Sequence, residues 1–132
     1  MAVALCQTDL THVMYRNLEA DVGPFLVVIK GTAADSAILA TTADANFLGV
    51  TMEDGKSGER RPIAMHGGVV KCTAKAAITE GAWVSVNGSD GKIKAAAPSA
   101  GSNSYVLGKA MQAAAADGDI IGVLLTPCIL QG

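Results

Sequence analysis

A chain of 132 residues is the size of one domain with a core of its own, needing no disulfide or metal to hold it. Ten Lys and Arg against twelve Asp and Glu give a formal charge of -2, which excludes a field strong enough to gather nucleic acid or anionic lipid. Half of the residues are hydrophobic, but many of these are Ala and only 4% of the chain is aromatic, so the core is built of small side chains.

Met1 to Asp9 lacks the basic start and the apolar length of a secretion signal. No stretch approaches the roughly 18 apolar residues of a membrane span, so a soluble protein is expected. Cys6, Cys72 and Cys128 are an odd number without a CxxC spacing, and they read as three free thiols, suited to assembly in a reducing cytoplasm.

Residues 1 to 20 follow no strong period and read as an N-terminal arm with one short strand. Residues 21 to 132 read as a single β-rich domain. Phe25 to Ile29 is an apolar, β-branched run ended by Lys30-Gly31, as in a buried strand. Ala33 to Asn46 is rich in Ala, Asp and Thr and holds one short helix or strand, with no stripe to decide between them. Phe47 to Met52 and Pro62 to Met65 are two strands joined by the charged, Gly-containing loop Glu53 to Gly58. Gly67-Gly68 opens the alternating segment Val69 to Ala74, a half-buried strand. Trp83 to Val86 and Lys92 to Lys94 flank Asn87-Gly88-Ser89-Asp90-Gly91, whose Asn-Gly and Asp-Gly pairs predict a hairpin. A loop from Ala95 to Ser104 precedes Val106 to Met111. Ala113 to Ala116, stopped by Asp117-Gly118, predicts one helical turn.

Part of this order occurs twice. Phe47-Leu48-Gly49-Val50-Thr51-Met52, then Gly58-Glu59, then Pro62-Ile63-Ala64-Met65 is echoed by Val106-Leu107-Gly108-Lys109-Ala110-Met111, Gly118-Asp119 and Gly122-Val123-Leu124-Leu125. At nearly the same offset Val22 to Val28 falls opposite Glu80 to Val86, which sets Phe25 against Trp83 and predicts a core role for both. Two related halves, about 22–71 and 80–130, are expected. The fold class is mainly β: a small barrel-like or sandwich domain with internal pseudo-duplication, one or two short helical turns and an extended N-terminal arm.

The repeat also weighs the candidate chemistry. Gly49 through Gly55-Lys56-Ser57 imitates a phosphate-binding loop, but five residues separate the glycines where four are needed, and Glu59-Arg60-Arg61-Pro62 cannot continue as the required helix. The second copy carries Ala114-Ala115-Ala116 at that place. Ser57 lacks the glycine spacing of a nucleophile elbow. His12 and His66 have no second metal ligand near them in sequence and read as surface or loop histidines. Arg60-Arg61, flanked by Glu59, reads as a solvated strand start or a polar contact with a partner. Tyr15 and Tyr105 are too few for a single-strand nucleic-acid groove. Nothing asks for a cofactor or a metal, and no catalytic residue is assigned. An enzyme would rest on Lys56-Ser57 and Arg60-Arg61 alone, without a base or an oxyanion site.

The ordered set Leu48 to Glu53 with Gly58-Glu59, Gly68 to Lys71, Ala77 to Val84, Val106 to Ala110 and Ala116 to Asp119 resembles the capsid decoration, or cement, proteins of tailed bacteriophages. The likeness covers about residues 22 to 126 and rests on the order and spacing of short motifs. It implies a barrel-like protein of the virion, made in the bacterial host cytoplasm and placed on the outer face of the capsid. There it would sit as a homotrimer at three-fold positions and stabilise the shell by bridging major capsid subunits, with neither nucleic acid nor membrane as partner. Candidate capsid or subunit contacts are Leu5, Leu10, His12, Tyr15 and Arg16 of the arm, Arg60 and Arg61, and Ile129 and Leu130 in the strand-like tail after Pro127. The alternative is a binding module displayed on the virion for host-surface or carbohydrate attachment, motivated by the polar loops Glu53 to Ser57 and Ser99 to Ser104.

Overall fold

The computed structural model describes residues 12–44 and 46–132. They form ten strands: β1 (His12–Leu18), β2 (Val27–Lys30), β3 (Ser36–Leu39), β4 (Gly49–Thr51), β5 (Arg60–His66), β6 (Val69–Thr73), β7 (Trp83–Val86), β8 (Ile93–Ala95), β9 (Asn103–Ala110) and β10 (Ile120–Gln131). The first five close into a barrel of order β1-β3-β2-β4-β5, and the last five make a sheet of order β6-β10-β9-β7-β8. No helix occurs among the described residues.

The second sheet repeats the first connection by connection. β2 pairs antiparallel with β3 and β4, and β4 with β5; β7 pairs likewise with β8 and β9, and β9 with β10. β1 is antiparallel to β5 as β6 is to β10. The parallel β1–β3 seam, Leu18 beside Ala37, becomes the single parallel bridge Ala74–Ile93, so the second sheet is a barrel closed at one point. Loop contacts repeat too. Gly58 N–H donates to the Leu18 carbonyl (2.7 Å) as Gly118 N–H does to that of Ala74 (2.8 Å), and the Val22–Gly55 bridge matches Ile78–Ala114.

This register explains the repeated Leu-Gly. A Cβ on Gly49 would strike the Ala64 carbonyl oxygen, and one on Gly108 would strike that of Leu124, so in both halves the neighbouring strand crosses at backbone distance.

Four expectations are corrected. The helical turn at Ala113 to Ala116 is absent. Ala114 bridges Ile78, and the N–H groups of Ala115 and Ala116 both donate to the Asp119 carboxylate (2.7 and 3.1 Å), satisfying the backbone better than one isolated turn could. The short strand expected within residues 1–20 is present as β1, but His12–Leu18 belongs to the barrel rather than to an arm. The repeats therefore run over residues 12–66 and 69–131, joined at Gly67-Gly68 (φ 78° and 67°), rather than 22–71 and 80–130.

Finally, Phe25 and Trp83 are not counterparts. Val28 pairs with Gly49 and Val84 with Gly108, so Val27 answers to Trp83 and Phe25 to Gly81. Phe25 and Gly81 both have left-handed backbone, at φ 61° and 88°, and Trp83 lies outside the core at 37% exposure. The open region Ala33 to Asn46 contains strand β3, and the tail Cys128-Ile129-Leu130 continues β10.

Each barrel is filled by five equivalent positions. Leu18, Val22, Val28, Ala37 and Ile63 fill the first, and Ala74, Ile78, Val84, Ile93 and Val123 fill the second. A larger cluster joins the halves, since Val27, Val50 and Ala64 of the first belong with Val86, Leu107 and Leu125 of the second.

Candidate interaction surface

The segment that imitates a phosphate loop is held by the chain's own carboxylates. The Lys56 N–H donates to Glu59 Oε1 (2.7 Å) and the Ser57 N–H to Asp21 Oδ1 (2.9 Å). The donors an anion would need are thus engaged by acids, which repel it. Asp119 plays the part of Glu59 in the second half, which is why Gly-Glu and Gly-Asp recur there. Cys72 is fully buried, and desolvation pushes its thiol up to about 12, where little of the nucleophilic thiolate forms near neutral pH.

Among the expected contact residues, the structure gathers His12, Tyr15, Arg16, Arg60 and Arg61 on the β1–β5 ribbon. His12 lies opposite His66, Tyr15 opposite Pro62 and Arg16 opposite Arg61. The two histidine rings stack with centroids 4.0 Å apart. The arginine charges are met within the chain. Asp35 receives Arg60 at 2.7 Å and lies 3.7 Å from Arg16, while Arg61 reaches Glu59 (3.0 Å), Glu53 (3.5 Å) and the Asp54 carbonyl (3.1 Å). Arg60 and the acids are open to water while Arg16 and Arg61 are half-buried, and pairs screened in this way add little to the stability of the fold. Leu5 and Leu10 lie outside the described residues.

Val13, Met14 and Tyr15 are exposed apolar side chains, and β1 meets β3 only at Asn17 and Leu18. The stretch His12–Tyr15 therefore has no strand on its outer edge among the described residues. Ile129 and Leu130 lie on the far end of β10, where that strand has outrun β6 and keeps only β9 as a neighbour. Ile129 is exposed and lines an apolar cleft of ≈ 560 Å³ with Phe47, Leu48, Met65, His66, Tyr105 and Pro127.

Two features escaped the sequence reading. Trp83 is exposed and faces its cross-strand neighbour Lys109, whose Nζ stands 5.3 Å from the ring centroid. A second apolar surface runs across both halves through Met52, Val69, Met111 and Ile120, all exposed. No sequence signal marks the first: strand pairing alone sets Trp83 and Lys109 at the places of Val27 and Val50, which are buried where Trp83 and Lys109 are not.

The N base of the head fiber of bacteriophage phi29 has a similar structure, with a TM-score of 0.67 over 93% of this chain and 100% of that one at 14% identity; the likeness is one of fold. No curated protein matches the sequence. The phage cement protein family matches residues 18–125, from the last residue of β1 to the middle of β10. With the match spanning both barrels, the chain belongs to the phage cement protein family.

Proposed function

We propose that the protein is a structural component of a phage head that binds the outer surface of the capsid as a homotrimer at three-fold positions. Bridging neighbouring major capsid subunits from there, it stabilises the shell. The family match over residues 18–125 carries this reading. The duplicated barrel supports it, since its repeated residues are apolar, glycine and turn-forming types that build a scaffold rather than perform chemistry.

Multiplicity makes weak contacts sufficient. A trimer seated on equivalent capsid sites engages several weak contacts at once, and effective concentration raises its avidity by about 10²–10⁴ over one contact. The outer edge of β1 suits a contact with the shell. A strand edge without a neighbour among the described residues offers its backbone to an extended segment, and the alternating side chains, here Val13 and Tyr15 on one face with His12 and Met14 on the other, set selectivity. Leu5 and Leu10 precede this edge in the chain and belong to the same proposed contact.

The test is thermal. Particles carrying the protein should release their DNA at a higher temperature than particles lacking it, and adding purified protein should restore the difference. Equal release temperatures would refute shell stabilisation.

A further inference from the structure

The two halves share a fold but not a set of neighbours. On the first half, the outward residues Val27 and Val50 are 0% and 1% exposed because the second half packs there. Backbone bonds seal the contact: the Val27 N–H donates to the Gly91 carbonyl (2.8 Å) and the Asp44 N–H to the Val86 carbonyl (3.0 Å). The second half makes this contact with its opposite end, the β7–β8 hairpin together with Leu107 and Leu125, which are closed over. The halves are therefore packed head to tail, through two different faces.

Among the described residues, a tandem of two leaves one face of each kind open. On the second half, the positions of Val27 and Val50 carry Trp83 and Lys109, and both are exposed. On the first half, the positions of Leu107 and Leu125 are Leu48 and Met65, which are only half-buried; with Phe47 they form one wall of the ≈ 560 Å³ cleft, and Tyr105, Pro127 and Ile129 of the second half form the other. Both unused faces suit a partner. An exposed tryptophan is the side chain most enriched among residues that dominate protein interfaces, and an apolar cleft is the kind of pocket such an anchor fills.

From this we infer that the Trp83–Lys109 face of one copy docks on the Phe47–Leu48–Met65 cleft of the next, repeating between chains the contact that joins the halves within one. The occupant is a second copy of this chain because the chain already contains that contact once, with both of its faces. A heterologous contact of this kind makes a ring when its rotation closes and an open filament when it does not; the proposed trimer supplies the closure. The inference deepens the trimeric part of the proposed function and rests on it for the number of chains in that ring.

Trp83 is the only tryptophan, so its emission reports on its surroundings without any substitution. Diluted until monomeric, the protein should emit at longer wavelength than at concentrations where sedimentation gives three times the chain mass. Trp83→Lys, which blocks one face, and Met65→Lys, which blocks the other, should each sediment as monomers. An equimolar mixture of the two retains one intact pair of faces and should give a species of two chains and no more. The contact is overturned if Trp83→Lys still assembles or if the mixture remains monomeric. It is equally overturned if the tryptophan emission is the same in monomer and assembly, a readout that stands even where Met65→Lys does not fold. Wild-type protein that protects particles but never assembles would remove the contact and leave the cement function standing. Protein that assembles as described but leaves the DNA release temperature unchanged would do the reverse.

Discussion

At the scale of single residues, the clearest case is the pair of equivalent positions Glu19 and Lys75. Each follows the first strand of its half and ties down the β2–β3 or β7–β8 connection, but with opposite charge. Glu19 accepts from the Ala33 N–H (2.8 Å), the Ser36 hydroxyl (2.7 Å) and the Thr32 hydroxyl (3.1 Å), and these bonds, led by that of Ala33, hold its carboxyl down at about 2. Lys75 binds Asp90 (3.2 Å), which raises its pKa, with Asp117 nearby adding to the effect. A carboxyl depressed in the folded state contributes stability that is complete above its ordinary value of 4.5 and lost as pH falls through about 2. Glu19→Gln should therefore flatten the fall in melting temperature between those values, read from thermal melts at stepped pH. An unchanged profile would mean that Glu19 is not coupled to folding. No motif in the sequence marks this site, because its ligands are backbone and hydroxyl groups brought together by the turn.

At the scale of elements, the two barrels keep the same interior with its volumes exchanged. Leu18 sits beside Ala37 across the first seam, and Ala74 beside Ile93 across the second, so a large and a small side chain have traded strands. Volume-conserving exchanges of this kind are the ones cores tolerate best. Leu18→Ala should cost about 2–5 kcal/mol in urea unfolding. Adding Ala37→Ile, which copies the second half into the first, should recover more than half of that loss, since residues in contact couple by about 0.5–3 kcal/mol. A double variant no more stable than Leu18→Ala would show that the seams are packed independently.

The strands themselves were largely legible. The repeated Leu-Gly, the Gly-Glu and Gly-Asp turns and the Asn-Gly hairpin all lie at their expected places, because backbone needs dictate those residues. β1 and β6 were not legible as counterparts. Their shared role is to pair with β5 and β10, and His12–Leu18 and Val69–Thr73 meet that need with few residues in common. The alanine run misled for a related reason, its clear helical preference being outweighed by a bridge and a capping carboxylate. Of the expected contact residues, the β1–β5 group is brought together by strand pairing, which Arg16 and Arg61, 45 positions apart, do not reveal on their own.

At the scale of the whole molecule, the halves are joined by a core cluster that contains Val27 and Val50 from one and Leu107 and Leu125 from the other. Separating them would expose that apolar surface, so the chain should unfold in one transition. Trp83 emission, which reports on the second half, and far-ultraviolet circular dichroism, which reports on both, should give the same midpoint. Two midpoints would mean that the barrels are independent. The same head-to-tail contact, left open at both ends of the tandem among the described residues, is the basis for the proposed assembly.

Apolar runs, glycine turns and their recurrence are local properties, and they are enough to specify a duplicated β scaffold without a recognisable catalytic motif. Which repeated position faces a neighbour was decided only by the tertiary structure. Setting Phe25 against Trp83 misplaces the register by two residues, and because side chains alternate with a period of two along a strand, that error leaves the apolar pattern intact. Only the pairing of Val28 with Gly49 and of Val84 with Gly108 exposes it, and with it the exposed tryptophan that stands where the first half buries Val27.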